Sequence, residues 1–92
     1  MVINLTDQII EQEHSYIVQT YKRAPFVLVH GEGVNLYDSE GNVYLDWAAG
    51  IAVNALGYGD PELTRAISTA AGNLIHVSNL YLTAPGVELA KM

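Results

Sequence analysis

Few side chains in this 92-residue sequence have the type and spacing that catalysis or metal binding requires. The three histidines (His14, His30 and His76) are far apart, and none has a second ligand three or four residues away. We therefore expect packing or surface histidines and no metal site. The only lysines, Lys22 and Lys91, do not lie in pocket-like sequence contexts. Glycine-rich phosphate loops and the serine nucleophile elbow are absent, so these residues alone predict no active site.

Three carboxylates lie around a predicted hairpin: Asp38, Glu40 and Asp46. A general acid–base pair needs such groups within hydrogen-bond reach of a substrate. Aspartate is also common in turns, where its side chain accepts hydrogen bonds from nearby backbone N–H groups. We interpret the three carboxylates as parts of a solvated turn rather than as catalytic groups.

The elements that position these side chains begin with a predicted helix. Thr6 or Asp7 can serve as its N-cap. Its apolar and aromatic residues follow the helical period as far as Tyr21. Pro25 ends the segment, because the residue before a proline avoids the α conformation.

A β-meander is predicted next, within residues 26–47. Residues 26–29 form an apolar strand, residues 31–33 a turn, and residues 34–37 and 43–46 two alternating strands around a loop that contains Gly41. A simple pairing would place Tyr37 and Tyr44 on one face of the sheet. The other face would then carry Val34, Leu36, Val43 and Leu45.

Residues 48–59 are small, apolar and glycine-rich, without a clean period. Such backbone can approach another chain or a ligand closely, although a tightly packed buried connector explains the composition equally well.

Asp60 as N-cap and Pro61 at the first helical position then predict a helix. An extended link over residues 76–82 follows, and Thr83 begins a last helix. Because that helix has no stop signal, we expect the native protein to continue beyond Met92.

Together these elements predict an α+β fold with an N-terminal helix, a three-stranded antiparallel meander and further helices. We assign residues 1–24 to the helix and its linker, residues 25–47 to the meander, and residues 48–92 to the connector and later helices.

The charge balance of four basic and ten acidic residues argues against partners that carry phosphate groups. Nucleic acids and anionic membranes are bound through clustered lysine and arginine, so we expect neither as a partner.

No cysteine is present, which excludes a disulfide scaffold. The first ten residues lack a secretory leader pattern, and we expect a cytoplasmic protein.

Five segments of the sequence follow one another in an order that is found in a known family. They are YKRAPFVLVHGEG (residues 21–33), LYDSEGNVYLD (36–46), AGIAVNALGY (49–58), Asp60-Pro61 and HVSNLYLT (76–83). In this order and spacing they resemble the opening of the class III aminotransferases, which depend on pyridoxal phosphate and have fold type I. HVSNLY is most similar to the acetylornithine-type members. Tyr58 and Asp60 stand where the family commonly has histidines.

The resemblance implies an N-terminal segment whose large α/β domain lies downstream. The complete protein would be a cytoplasmic homodimer that uses pyridoxal 5′-phosphate, bound to a lysine outside these 92 residues. It would transfer an amino group from N-acetylornithine to 2-oxoglutarate in arginine biosynthesis, with amino-acid and 2-oxo-acid substrates as its small-molecule partners. The segment alone would be inactive and would not retain the cofactor.

Three residues receive roles from the resemblance. Tyr21 and Ile51 would line the substrate side of the site, and Asn79 would reach across the dimer interface to the neighbouring cofactor site. For each residue a structural role is also open: a helix-end apolar contact for Tyr21, core packing for Ile51 and a backbone hydrogen bond for Asn79. No residue of this chain is expected to be catalytic.

Two other functions remain open from the sequence. One is a related class III transaminase that acts on ornithine, succinylornithine or 4-aminobutyrate. The other is a short non-enzymatic dimerisation or binding module. A reading frame that continues past Met92 to a lysine motif would favour the enzyme, and a stop codon there would favour the module.

Overall fold

The computed structural model describes residues 4–92 and contains the predicted kinds of element in the predicted order. A helix is followed by a three-stranded antiparallel sheet and then by further helices, which confirms the α+β class. The first residues of the predicted helical region, 1–3, lie outside the described residues. No helix within residues 4–92 is long and apolar enough to cross a membrane.

Two compact units make up the chain. The first ends at Asp60 and contains the sheet, and the second spans Pro61–Met92. The predicted three-part division at residues 24 and 47 remains a prediction.

Helix α1 spans Leu5–Tyr16, and its N-cap is Asn4 rather than the predicted Thr6 or Asp7. The Asn4 side chain accepts a hydrogen bond from the Asp7 backbone N–H at 2.8 Å. Thr6 is thereby inside the helix, where it is buried and its hydroxyl bonds the Ser39 hydroxyl of the hairpin loop at 2.5 Å. Because the helix begins two or three residues earlier than predicted, the Asp7 carboxylate lies in its first turn, where the helix dipole favours it.

The same helix ends well before Tyr21, contrary to the prediction. Ile17 is extended at the C-cap and donates its backbone N–H to Glu13 O at 3.0 Å. The Gln19 amide then donates to the carbonyl oxygens of Glu13 and Ile17, so it satisfies acceptors at the helix end. The β-branched residues that follow, Val18 and Thr20, weaken any continuation of the helix.

The sheet has the order β1-β2-β3, with β1 at Leu28–Glu32, β2 at Asn35–Asp38 and β3 at Val43–Leu45. β1 therefore starts later than predicted and includes Gly31, which was expected in a turn. The turn itself is made at Gly33, whose φ is +58°. The pairing of β1 with β2 is irregular between Leu28 and His30.

The register of the second hairpin differs by one residue from the simple pairing. Leu36 lies opposite Tyr44, and Tyr37 lies opposite Val43. Because directly opposed residues share a face, Tyr37 and Tyr44 are on opposite faces, and the predicted face assignment is wrong. The cause is the loop closure: Asp38 N–H donates to Asn42 O at 3.0 Å, which fixes the next opposed pair as Tyr37 and Val43.

The remaining elements are a short turn, α2 at Ala49–Ala52, and two helices of the second unit. Helix α3 spans Pro61–Ala71 and begins at the predicted proline. Helix α4 spans Ala84–Lys91 and follows Thr83, which occupies the N-cap position without a side-chain capping bond.

The described residues contain no fully buried hydrophobic side chain. Several apolar side chains of the first unit are half-buried: Ile9, Ile10, Phe26, Val27, Leu36 and Tyr44. Among them, the rings of Phe26 and Tyr44 stack at a centroid distance of 4.5 Å. Most other large apolar side chains of the described residues are exposed.

Candidate functional site

Asp38 organises the loop between β2 and β3. Its carboxylate accepts the backbone N–H groups of Glu40 and Asn42, the Asn42 side-chain amide and the Tyr44 hydroxyl, all at 2.8–2.9 Å. The Asn42 amide contributes most to lowering the pKa of Asp38 to about 2. The hydrogen bond from the Tyr44 hydroxyl to Asp38 is the main cause that raises the pKa of Tyr44. Asp38 is 4% exposed, so it is a buried loop anchor rather than the solvated turn residue that the sequence predicted.

Asp46 forms a second tyrosine–aspartate pair, at the end of β3. One carboxylate oxygen accepts the Tyr58 hydroxyl at 2.5 Å. The other accepts the backbone N–H groups of Ala48 and Ala49 at 3.0 and 2.9 Å. The Tyr58 bond is the main cause that lowers the pKa of Asp46, and Asp46 in turn raises the pKa of Tyr58. Both carboxylates thus stay ionised at neutral pH and act as hydrogen-bond acceptors rather than as acids.

Tyr58 is held against the sheet by its backbone and by its ring. It exchanges two backbone hydrogen bonds with Gly33, at 3.0 and 2.8 Å. A Cβ at Gly31 would lie 2.6 Å from Tyr58 Cγ, so only glycine leaves room for the ring. The Asp46 carboxylate is therefore contacted by a side chain of fixed position.

The glycine-rich stretch contains a left-handed turn. Ala49, Gly50, Ile51 and Ala52 have φ values of 51°, 63°, 60° and 66°. For residues other than glycine this conformation costs about 1–2 kcal/mol each, because Cβ approaches the following carbonyl oxygen. The turn is closed by hydrogen bonds from Ala52 N–H to Ala48 O and from Asn54 N–H to Ala49 O. Strained backbone of this kind persists where its surroundings fix it, and it is common at functional sites.

Ile51 lies in the middle of this turn and is 93% exposed. Core packing within the described residues is therefore not its role. The turn presents an isoleucine side chain that is open to contact from a ligand or from another part of the protein. Its predicted substrate contact stays a prediction.

Tyr21 lies in a groove of about 720 Å³ between the end of α1 and residues 19–27. Its side chain is 74% exposed, and the Arg23 guanidinium lies 5.9 Å from its ring centroid. Arg23 is held by an ion pair with Glu13 at 2.6 Å. The groove therefore offers an aromatic ring, a hydroxyl and a guanidinium that is paired with Glu13, a combination suited to a substrate with both apolar and hydrogen-bonding parts.

Asn79 belongs to the second unit and lies in a tight turn, within the segment that the sequence predicted to be an extended link. Ser78 has φ +70°, its carbonyl oxygen accepts Tyr81 N–H at 3.4 Å, and its hydroxyl accepts Leu80 N–H at 3.3 Å. Asn79 is exposed. Its side-chain amide makes no hydrogen bond within residues 4–92, so the backbone-bond alternative has no support from these residues.

The three predicted site residues are thus distributed over both units. Tyr21 and Ile51 are in the first unit, without a hydrogen bond or ring contact between them in the described part of the chain, and Asn79 is in the second. Among residues 4–92 there is no group of three histidine or carboxylate side chains that could hold a metal ion.

The Asp46–Tyr58 pair and the left-handed turn were missed from the sequence. Glycines at 31, 33, 57 and 59 were the available signal, since they mark two segments whose backbones lie close together. Sequence spacing alone does not reveal that Tyr58 folds back to Asp46, twelve residues earlier.

Comparison with known proteins gives a consistent result. The family model described as "Aminotransferase class-III" matches residues 16–92. The chain is 49% identical over 87 residues to an acetylornithine aminotransferase of Methanothermobacter thermautotrophicus, which covers 95% of this chain and 22% of the relative. Identity to the enzyme of the same name from Caldanaerobacter subterraneus is 53%, over 90% of this chain and 21% of the relative.

A solved structure agrees. The N-acetylornithine aminotransferase of Stenotrophomonas maltophilia superposes with a TM-score of 0.72 at 41% identity, covering 89% of this chain and 21% of the other. The chain spans about a fifth of the length of these relatives.

Proposed function

Since this chain belongs to the class III aminotransferase family, we propose that it is the N-terminal segment of an acetylornithine aminotransferase. The complete protein would transfer the amino group of N-acetylornithine to 2-oxoglutarate, as a step of arginine biosynthesis in the cytoplasm. The observation that carries the proposal is the identity of about half of all aligned positions to relatives of that name, over nearly the whole chain. A short non-enzymatic module would not account for this similarity.

Pyridoxal phosphate supplies the electron sink for amino transfer when it is bound. The described residues do not fit a covalent anchor for it, because Lys22, which lines the open groove, and Lys91 are both exposed. Neither lysine therefore has the desolvated position that would activate it for imine formation. In our proposal the anchoring lysine lies in the part of the protein beyond this chain, and the chain alone is inactive.

The role of this chain would be to complete the substrate side of the site. Tyr21 and Arg23 in the groove would contact the donor through ring, hydroxyl and guanidinium. Ile51 would pack against the apolar part of the donor. The exposed amide of Asn79 would donate to a phosphate or carboxylate of the neighbouring subunit's site, because an amide is both donor and acceptor.

A homodimer is part of the proposal because of the exposed apolar side chains. In the first unit, Trp47 is 89% exposed, and in the second, Leu80 and Leu82 are 86% and 94% exposed. Side chains of this size are usually covered in a functional assembly. The large domain and the partner subunit would cover them.

Glutamate formation by the purified full-length protein tests the proposal. With 2-oxoglutarate as acceptor, N-acetylornithine should give glutamate at a rate that depends on added pyridoxal phosphate. The segment 1–92, assayed in parallel, should give none. Absence of turnover with N-acetylornithine, together with turnover of 4-aminobutyrate or ornithine, would overturn the assignment of the donor. A bacterium that requires arginine because it lacks this step provides a test of the pathway. The full-length gene should restore its growth without arginine.

A further inference from the structure

The left-handed turn at Ala49–Ala52 is held from one side by a single carboxylate. Asp46 accepts the N–H groups of Ala48 and Ala49, the residue before the turn and its first residue. Both bonds end on the same carboxylate oxygen. Its position therefore fixes where the chain enters the left-handed conformation.

The other oxygen of Asp46 is bound by the Tyr58 hydroxyl. Tyr58 is in turn tied to Gly33 through two backbone hydrogen bonds, and its ring rests against Gly31. The Asp46 backbone N–H donates to Val34 O at 2.8 Å. Both the main chain and the side chain of Asp46 are thus anchored to the sheet, so the sheet determines the geometry of the turn.

The far end of the turn is fixed by Asn54. Its backbone N–H donates to Ala49 O at 2.8 Å, and its side-chain amide lies 3.4 Å from the Tyr58 hydroxyl. Tyr58 therefore contacts the groups that begin and end the turn. Ile51 lies between them and is 93% exposed, so packing against residues 4–92 does little to hold it in place.

We propose that Asp46 is a positioning residue, oriented by the Tyr58 hydroxyl, which holds the Ala49–Ala52 turn in the conformation that presents Ile51 to the amino donor. This inference rests on the proposed function. Asp46 and Tyr58 lie outside the predicted site residues, and in this inference they preorganise one wall of the site. Preorganised walls improve binding by reducing the ordering that a ligand must impose.

Tyr58→Phe in the full-length protein is the most specific test, because it keeps the ring against Gly31 and removes only the hydroxyl. Tyr44→Phe is the matched control. It removes a tyrosine hydroxyl that donates to the Asp38 carboxylate of the hairpin loop at 2.8 Å, as Tyr58 does to Asp46. Asp46→Asn, which keeps one acceptor oxygen, is a second variant on the aspartate side.

Two measurements follow. By hydrogen exchange in the absence of substrate, the amides of residues 48–52 should exchange faster in Tyr58→Phe and Asp46→Asn than in the wild type, and should be unchanged in Tyr44→Phe. In steady-state kinetics, the KM for N-acetylornithine should rise about fivefold in Tyr58→Phe with little change in kcat, as expected for the loss of one hydrogen bond that supports binding.

The outcomes separate the inference from the proposed function. If the wild type transaminates N-acetylornithine but Tyr58→Phe changes neither exchange nor KM, the positioning role is wrong and the function stands. If Tyr44→Phe produces the same changes as Tyr58→Phe, the effect is general destabilisation and the inference is also overturned. If the wild type has no transaminase activity, the proposed function is wrong. If exchange is also unchanged in Tyr58→Phe, the inferred restraint of the turn by Tyr58 is wrong as well.

Discussion

At the scale of single residues, two aspartates of the sheet have similar partners and different surroundings. Asp38 closes a hairpin loop and is almost fully buried, whereas Asp46 links the sheet to the left-handed turn and is half-buried. Each accepts a tyrosine hydroxyl and two backbone N–H groups. The position of each along the chain, and not its chemistry, decides whether it supports a loop or a candidate site.

Asp38→Asn is expected to destabilise the full-length protein at pH 7, because it weakens four hydrogen bonds to a carboxylate. The pKa of Asp38 in the folded protein is lowered to about 2, first by the Asn42 amide, from an ordinary value of 3.8. A carboxyl group whose pKa is lower in the folded than in the unfolded state stabilises the folded protein at pH values above the unfolded-state pKa. This stabilisation is lost as the pH falls through the folded-state pKa. The loss of unfolding free energy in Asp38→Asn, relative to wild type, should thus be full-sized at pH 7 and about half as large at pH 3.

Urea unfolding midpoints of the two proteins at both pH values measure this difference. Glu40→Gln, an exposed substitution in the same loop, is the control and should show no comparable loss. A difference between wild type and Asp38→Asn that is the same at pH 3 and pH 7 would contradict the assignment of a lowered pKa.

Asn79→Ala in the full-length protein should impair activity more than stability. Its amide is free within the described residues, so its removal leaves no buried partner in this chain. If it serves the neighbouring site, leaving that partner unpaired costs about 1–3 kcal/mol, or roughly 5- to 150-fold in binding. The KM or cofactor retention should change accordingly, while Asn73→Ala, an exposed asparagine after α3, should change neither.

Subunit mixing tests whether Asn79 acts across the interface. Subunits with Asn79→Ala are combined with subunits in which the downstream anchoring lysine is replaced. If Asn79 serves the partner's site, each mixed dimer has one doubly defective and one intact site, and activity returns. Heterodimers that form without any recovery of activity would show that Asn79 acts within its own subunit or not at all.

At the scale of elements, the sequence predicted the order and type of element but not the details that individual hydrogen bonds decide. The β-meander, the helix from Pro61 and the helix after Thr83 follow from local periodicity and capping residues. The hairpin register does not, because Asp38 bonds Asn42 and shifts the pairing by one residue. The left-handed turn was missed for the same reason, since Tyr58 and Asp46 are twelve residues apart.

Gly57→Ala should disrupt the attachment of Tyr58 to the sheet. Gly57 has φ +79°, and a Cβ there would lie 2.8 Å from Gly33 O. Gly59 has a similar φ of +77° with open space around it. Gly59→Ala should therefore cost only the conformational strain of about 1–2 kcal/mol, and Gly57→Ala about 1–3 kcal/mol more because of the clash.

Denaturant unfolding of the two alanine variants in the full-length protein measures the difference between them. Equal losses of stability would mean that the approach of Gly57 to Gly33 is not tight. In that case the sheet would not fix the position of Tyr58.

At the scale of the whole molecule, neither unit has a hydrophobic core of its own. No hydrophobic side chain is buried among the described residues. The side chains of Trp47, Leu80 and Leu82 are 86–94% exposed. Because large apolar side chains are usually covered in a functional assembly, these elements are expected to be stabilised by surfaces outside the chain.

The isolated segment 1–92 is therefore expected to be marginally folded or self-associating, and to retain no pyridoxal phosphate covalently. Sedimentation and binding of a hydrophobic dye measure the first property. Borohydride reduction followed by dialysis and absorbance measures the second. A monomer with a sharp reversible melting transition and little dye binding, or one reduced cofactor per chain, would contradict these expectations.

The donor preference of the full-length protein tests the central claim most directly. The quantity to measure is the ratio of kcat/KM for N-acetylornithine to kcat/KM for ornithine, with 2-oxoglutarate as acceptor and glutamate as the detected product. An enzyme whose groove and Ile51 turn bind the acylated donor should prefer N-acetylornithine by at least about tenfold, the discrimination that roughly 1.4 kcal/mol provides. A ratio below one, or transamination of neither donor, would contradict the account.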